Sequence, residues 1–178
     1  PTMGGVLILF SMFVSILLWG DFSNLGLWLV CFVTFFYGWI GFVDDYRKVV
    51  HKNPKGLSAR QKLFFQFLVA GIAAFLLLKY TPVNSELRIP FFKTFSLDLG
   101  WFYVPFIMLV IVGASNAVNL TDGLDGLAIG PVITTSGTFL LLAYVAGHVK
   151  IAEYLEIPYI AGAGELAVYA AAMAAAGL

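Results

Sequence analysis

The chain has 178 residues, of which 61% are hydrophobic and 11% charged, and its ten basic and ten acidic side chains leave no formal net charge. A mean hydropathy of +0.93 excludes an ordinary soluble domain, which needs far more polar surface. Neutrality by itself points to no partner, and no basic, aromatic-interleaved nucleic-acid surface is visible, so no nucleic acid is expected.

Several apolar runs approach the roughly 20 residues that cross a bilayer, and they are continuous rather than alternating in segments of about ten. The class is therefore an all-α polytopic membrane protein, with five full spans and part of a sixth in one transmembrane domain over 1–178. Span one is predicted from Gly4 to Trp19, and Asp21–Asn24 turns the chain. Span two covers Leu25 to Val43, followed by a polar, basic loop over about 44–62. Ser58-Ala59-Arg60-Gln61 fits a capping box opening span three, Leu63 to Tyr80. The connection 81–100 holds Pro82 and Pro90, and the partial alternation of Leu87-Arg88-Ile89 and Phe95 to Leu99 suggests a small hairpin outside the bilayer. Span four is Trp101 to Val118, a loop of Asn, Asp and Gly follows over about 119–126, and span five is Leu127 to Ala146. After a connection over 147–164, with room for a short interfacial helix, Glu165 to Leu178 begins span six. The chain starts at Pro1 and stops inside an apolar run, so it is expected to be an internal piece of a longer protein.

Two acidic clusters sit at span ends. Ionised groups beside a bilayer are costly and are candidate functional residues by default. Two crossings separate Asp45 from Asn119, so both clusters are expected on one side, together with Pro1–Gly5. The loop after Asp45 carries Arg47, Lys48, Lys52, Lys55, Arg60 and Lys62, against Lys79, Arg88, Lys93 and Lys150 on the other side. That bias places the clusters in the cytoplasm, and 20–24, 81–100 and 147–164 in the periplasm.

Asp44-Asp45 closes span two. Adjacent carboxylates repel, and such a pair binds a divalent cation or raises one pKa towards that of a general base; a solvated helix end is the bland alternative. Mg²⁺ needs only one or two carboxylates plus substrate phosphates. Lys48, within one turn, meets a phosphate or balances charge. In the second cluster Asn116, Asn119, Asp122 and Asp125 recur every three residues, and each aspartate precedes a glycine. Asn116 and Asn119 share a helix face, and the glycines allow a tight turn and close approach to a ligand. A pair of Asx turns between helices is the alternative; an EF-hand is disfavoured by its ligand spacing. His51, His148 and Cys31 are isolated, and Trp19, Trp28 and Trp101 fit an interfacial belt. Together the residues suit metal-assisted phosphoryl transfer between a soluble donor and a lipid. A transporter would carry its acids near the bilayer midplane, and a purely structural subunit leaves the double Asp-Gly loop unexplained.

Pro1-Thr2-Met3-Gly4-Gly5, Gly41-Phe42-Val43-Asp44-Asp45-Tyr46-Arg47-Lys48 and Asn116 through Ala128 resemble the phospho-N-acetylmuramoyl-pentapeptide-transferases, within the polyprenyl-phosphate N-acetylhexosamine-1-phosphate transferase superfamily. The resemblance implies a Mg²⁺-dependent enzyme of ten spans in the bacterial inner membrane, commonly a homodimer. Its substrates would be UDP-N-acetylmuramoyl-pentapeptide and undecaprenyl phosphate, and its products lipid I and UMP. Sister enzymes transfer N-acetylglucosamine-1-phosphate instead, and Pro1–Gly5 favours the first branch. Carried over, Asp44 would be the base or orienting group for the lipid phosphate. Asp45 would support the metal and phosphates, and Lys48 the diphosphate. Asn116, Asn119 and the catalytic Asp122 would shape the polar site, Gly123, Leu124 and Asp125 would surround the uridine, and Thr2 would edge the nucleotide pocket. A third essential aspartate, the main Mg²⁺ ligand, and a histidine-rich loop are implied beyond Leu178, so this piece alone would be inactive. Direct attack by the lipid phosphate is favoured over a covalent aspartyl intermediate, because a phosphate oxyanion is already an adequate nucleophile.

Overall fold

The computed structural model describes residues 4–50, 56–88, 95–122 and 126–178. In these stretches lie α1 (Gly5–Trp19), α2 (Leu25–Val49), α3 (Ala59–Tyr80), β1 (Glu86–Arg88), β2 (Ser96–Asp98), α4 (Tyr103–Thr121), α5 (Ile129–Ala146), α6 (Val149–Tyr154) and α7 (Gly164–Gly177). A short 3₁₀ turn, Gly100–Phe102, leads into α4.

Among the described residues four helices are long and apolar enough to cross a membrane: α2, α3, α4 with its 3₁₀ turn, and α5. At about 1.5 Å per residue, the 15 residues of α1 and the 14 of α7 are shorter than a full span. The chain is a polytopic helical membrane protein. Its outward faces carry residues such as Phe10, Leu18, Phe64, Leu109 and Phe139, which hydrocarbon solvates and water does not.

Local signals set the boundaries. Asn24 caps α2 by accepting the Leu27 N–H. The Ser58–Gln61 capping box opens α3 in both directions: the Gln61 N–H donates to the Ser58 hydroxyl and the Ser58 N–H to Gln61 Oε1. The hairpin is present, antiparallel, with Glu86 opposite Asp98, Leu87 opposite Leu97 and Arg88 opposite Ser96. Its end is tied by the Ser85 hydroxyl donating to Asp98 at 2.5 Å. That bond first, then the Gly100 N–H, holds the Asp98 carboxyl below its ordinary value. Three boundaries differ from the sequence reading: α3 opens at Ala59 rather than Leu63, α4 runs to Thr121 rather than Val118 and so carries Asn119 on the helix, and α2 is the longest extension. Span two was expected to end at Val43, yet α2 runs on to Val49. Charged residues end an apolar run without ending a helix, and Arg47 and Lys48 suit a helical C-terminus. Asp44 and Asp45 therefore lie on a helix, one turn before its end.

Helices α5 and α7 pack most extensively, and α7 also packs on α1; α3 packs against both α2 and α4. A core of Met12, Ile16, Leu27, Cys31 and Ala172 joins α1, α2 and α7. Small residues bring backbones close, as membrane helices require: Ala70, Ala73 and Ala74 are buried on α3, and a Cβ on Gly38 of α2 would stand 2.5 Å from Leu9 Cδ1 of α1. The α2–α3–α4 contacts bring the C-terminal ends of α2 and α4 beside the N-terminal end of α3.

Candidate active site

Asp44 is nearly buried at 9% exposure. Helical spacing puts Lys48 one turn on, where its Nζ donates to Asp44 Oδ2 at 2.6 Å. The other oxygen, Oδ1, accepts the Leu57 N–H at 2.7 Å. Both carboxylate oxygens are thus engaged, one by its own helix and one by the loop entering α3. Gly56 makes the second contact feasible. It has φ +55, and a Cβ there would overlap Asp44 Oδ1 and stand 2.8 Å from Lys48 Cε.

Asp45 points elsewhere. Its side chain is 57% exposed and lies 3.7 Å from the Lys48 ammonium. It is the charged residue lining an apolar cleft of about 580 Å³ between α1 and α2, among Gly5, Leu9, Phe13, Gly38 and Phe42. The adjacent carboxylates therefore do not share one ligand position. Lys48 lies between them, bridging a buried structural contact and an open one.

The second cluster meets the first from across α3. Asn119 and Asp122 of α4 line a polar cavity of about 250 Å³ with Tyr37 of α2 and Lys62 and Gln66 of α3. Asp122 caps α4, and its Oδ1 accepts the Ala128 N–H at 3.4 Å across the intervening loop. Lys62 also reaches Asp44 electrostatically. An ammonium, a carboxylate and an amide around one cavity can hold a phosphate and hydrogen-bond a polar ligand. Asn116 does not face this space with Asn119. Its Nδ2 donates to Gln66 Oε1 at 2.9 Å and to the Val112 carbonyl at 2.8 Å. Thr2, Gly123, Leu124 and Asp125 lie outside the described residues, as does His51.

Tyr37, Lys62 and Gln66 escaped the sequence reading as site residues. Gln66 carried a usable signal: it is an amide inside an apolar run, one helical turn from Lys62. Among the described residues no group of three or more His, Cys, Asp or Glu side chains is gathered to hold a metal ion.

The chain is 60% identical over 179 residues to the phospho-N-acetylmuramoyl-pentapeptide-transferase of Pelobacter propionicus, a match covering 100% of this chain and 50% of that protein. The protein of the same name from Citrifermentans bemidjiense is 58% identical over 180 residues, again 100% of this chain and 50% of the relative. That from Desulfotalea psychrophila is 54% identical over 169 residues, covering 95% of this chain and 47% of the relative. The chain spans about half the length of the curated relatives it matches. A profile described as glycosyl transferase family 4 matches residues 27–176, a stretch that includes both acidic clusters and the cavity between them. The chain belongs to glycosyl transferase family 4.

Proposed function

We propose that this chain forms part of an enzyme that transfers phospho-N-acetylmuramoyl-pentapeptide from its UDP-linked donor to undecaprenyl phosphate, giving lipid I and UMP in peptidoglycan synthesis. The observation that carries the reading is the polar cavity of Lys62, Asn119 and Asp122 beside the Asp44–Lys48–Asp45 group, in a chain 60% identical to an enzyme of that name. An oxygen of the lipid phosphate attacks the sugar-bearing phosphorus of the donor. The bond from that phosphorus to the bridging oxygen breaks, and UMP leaves with the electron pair. The new linkage is a lipid–sugar diphosphate.

Each residue has a task in this reading. Lys48, between two carboxylates, meets the donor diphosphate and offsets charge as UMP departs. Asp44 holds Lys48 and the α2–α3 loop in place and orients the lipid phosphate. Asp45 is the exposed carboxylate, and its donor set fits Mg²⁺ as one protein ligand beside substrate phosphates, not as a closed protein cage. Mg²⁺, when bound, would supply charge neutralisation at the phosphates. Lys62, Asn119 and Asp122 form the polar wall, Asn116 supports it from behind through Gln66, and Thr2 and the Gly123–Asp125 loop are assigned to the nucleotide. The concentration of basic residues in the α2–α3 loop supports a cytoplasmic side for this end, with the helices in the bacterial inner membrane, and the proposed working form is a homodimer.

UMP release by the intact enzyme tests the proposal. Purified in detergent with undecaprenyl phosphate, it is expected to turn over the N-acetylmuramoyl-pentapeptide donor and not UDP-N-acetylglucosamine. Asp44→Asn and Asp125→Asn are expected to lose on the order of 100-fold or more in rate, the usual scale for a positioned acid–base group. Equal use of both donors would point to the sister activity, and full activity of both variants would overturn the site.

A further inference from the structure

Gln66 is buried at 3% exposure in the middle of three helices. A lone amide at membrane depth is costly unless its polar atoms are paired. Here its neighbours use it from both sides: the Tyr37 hydroxyl of α2 donates to its backbone carbonyl at 2.9 Å, and Asn116 Nδ2 of α4 donates to its side-chain oxygen at 2.9 Å. Further along the same helix pair, Gly71 of α3 faces the Met108 side chain of α4. Packing of that kind tolerates sliding, whereas a hydrogen bond is directional and fixes position along the axis.

The residues one turn away give this bond its meaning. On α3, Lys62 lies four residues before Gln66. On α4, Asn119 and Asp122 lie three and six residues after Asn116. The helices run antiparallel, so both steps lead to the same end, where Lys62, Asn119 and Asp122 line one cavity with Gln66 at its wall. A slip of one turn, about 5.4 Å, would carry Asn119 and Asp122 out of reach of Lys62. We propose that Gln66 is a positioning residue: its hydrogen bond to Asn116 sets the register at which Lys62 meets Asn119 and Asp122, and so shapes the pocket for the nucleotide-linked donor. The inference rests on the active-site reading above.

Steady-state UMP release by the intact enzyme, varying donor and lipid separately, is the test. Gln66→Met removes the acceptor at similar volume. It is expected to raise the KM for the UDP-linked donor about tenfold, and to leave the KM for undecaprenyl phosphate within about twofold. Asn116→Ala is expected to give a comparable shift, and the double variant no more than the larger single effect, because both remove one bond. Asn116→Ala leaves Gln66 in place and carries the same test should Gln66→Met fail to accumulate. Parental KM values in Gln66→Met with only less folded enzyme would overturn the proposal, as would multiplying effects in the double variant. Failure of the active-site reading looks different: Asp44→Asn and Asp122→Asn would then turn over at the parental rate.

Discussion

Asp44 is held by two neighbours that differ in kind. Lys48 is a flexible cation, free to shift towards a phosphate. The Leu57 N–H is a fixed backbone donor, and it reaches Oδ1 only because Gly56 turns at φ +55. A left-handed conformation costs an L residue about 1–2 kcal/mol, and at position 56 an added methyl group also runs into the Asp44 carboxylate. Gly56→Ala is therefore expected to lower the thermal midpoint and to cut UMP release by about tenfold or more, since the strained loop releases the carboxylate. Gly130→Ala is the control, because a Cβ there meets nothing within 4 Å and α5 is regular at that point. Equal thermal midpoints and rates for the two variants would remove the loop from any account of Asp44.

At the scale of elements, α3 governs the site, because it supplies Lys62 and Gln66 and separates the two acidic helix ends. Its N-terminus is fixed by the Ser58–Gln61 capping box. Ser58→Ala is expected to cost about 1 kcal/mol, read as a lower unfolding midpoint in detergent. The donor KM should hold, since the cap fixes where the helix begins and not how it registers against α4. A donor KM that rises with Ser58→Ala would shift the positioning role from Gln66 to the helix start. What the sequence revealed about these elements follows from the range of each interaction. The capping box and hairpin were legible because their partners are close in sequence and their patterns are local. The continuation of α2 through Asp45 was not, because polarity marks where lipid ends, while helicity persists to Val49 through backbone bonds and Lys48's pairing one turn back. The apparent kinship of Asn116 with Asn119 dissolved for a related reason. Residues three apart share a face, but Gln66, fifty positions away, turns one of them into a helix–helix contact, and no spacing rule within α4 contains that partner.

Over the whole molecule, lipid exposure and sidedness have to agree. Only 6% of the apolar window is buried within this chain in each of α4 and α5, so most of their apolar surface is left for lipid or for further helices to cover. Successive crossings then alternate the connections between the two faces. The basic α2–α3 loop falls at one end, and the hairpin with its exposed Asn84 at the other. The proposed reaction depends on this arrangement: under that proposal a charged UDP-linked donor supplied from the cytoplasm would meet Lys62 and Asp122 without crossing the bilayer, which requires those residues to share the face of the basic loop. Cys31 is the single cysteine of these 178 residues and is buried at 7% exposure between helices; replacing it with alanine, together with any cysteine elsewhere in the intact enzyme, gives a background without reactive thiols. In that background, Asn84→Cys in intact cells is expected to react with an impermeant maleimide. Asn53→Cys is expected to react only after the membrane is permeabilised. The reverse pattern would turn the site to the periplasm and overturn the proposed reaction with a cytoplasmic donor, and labelling of both cysteines in intact cells would overturn the pair of crossings by α3 and α4 that puts the two acidic clusters on one face.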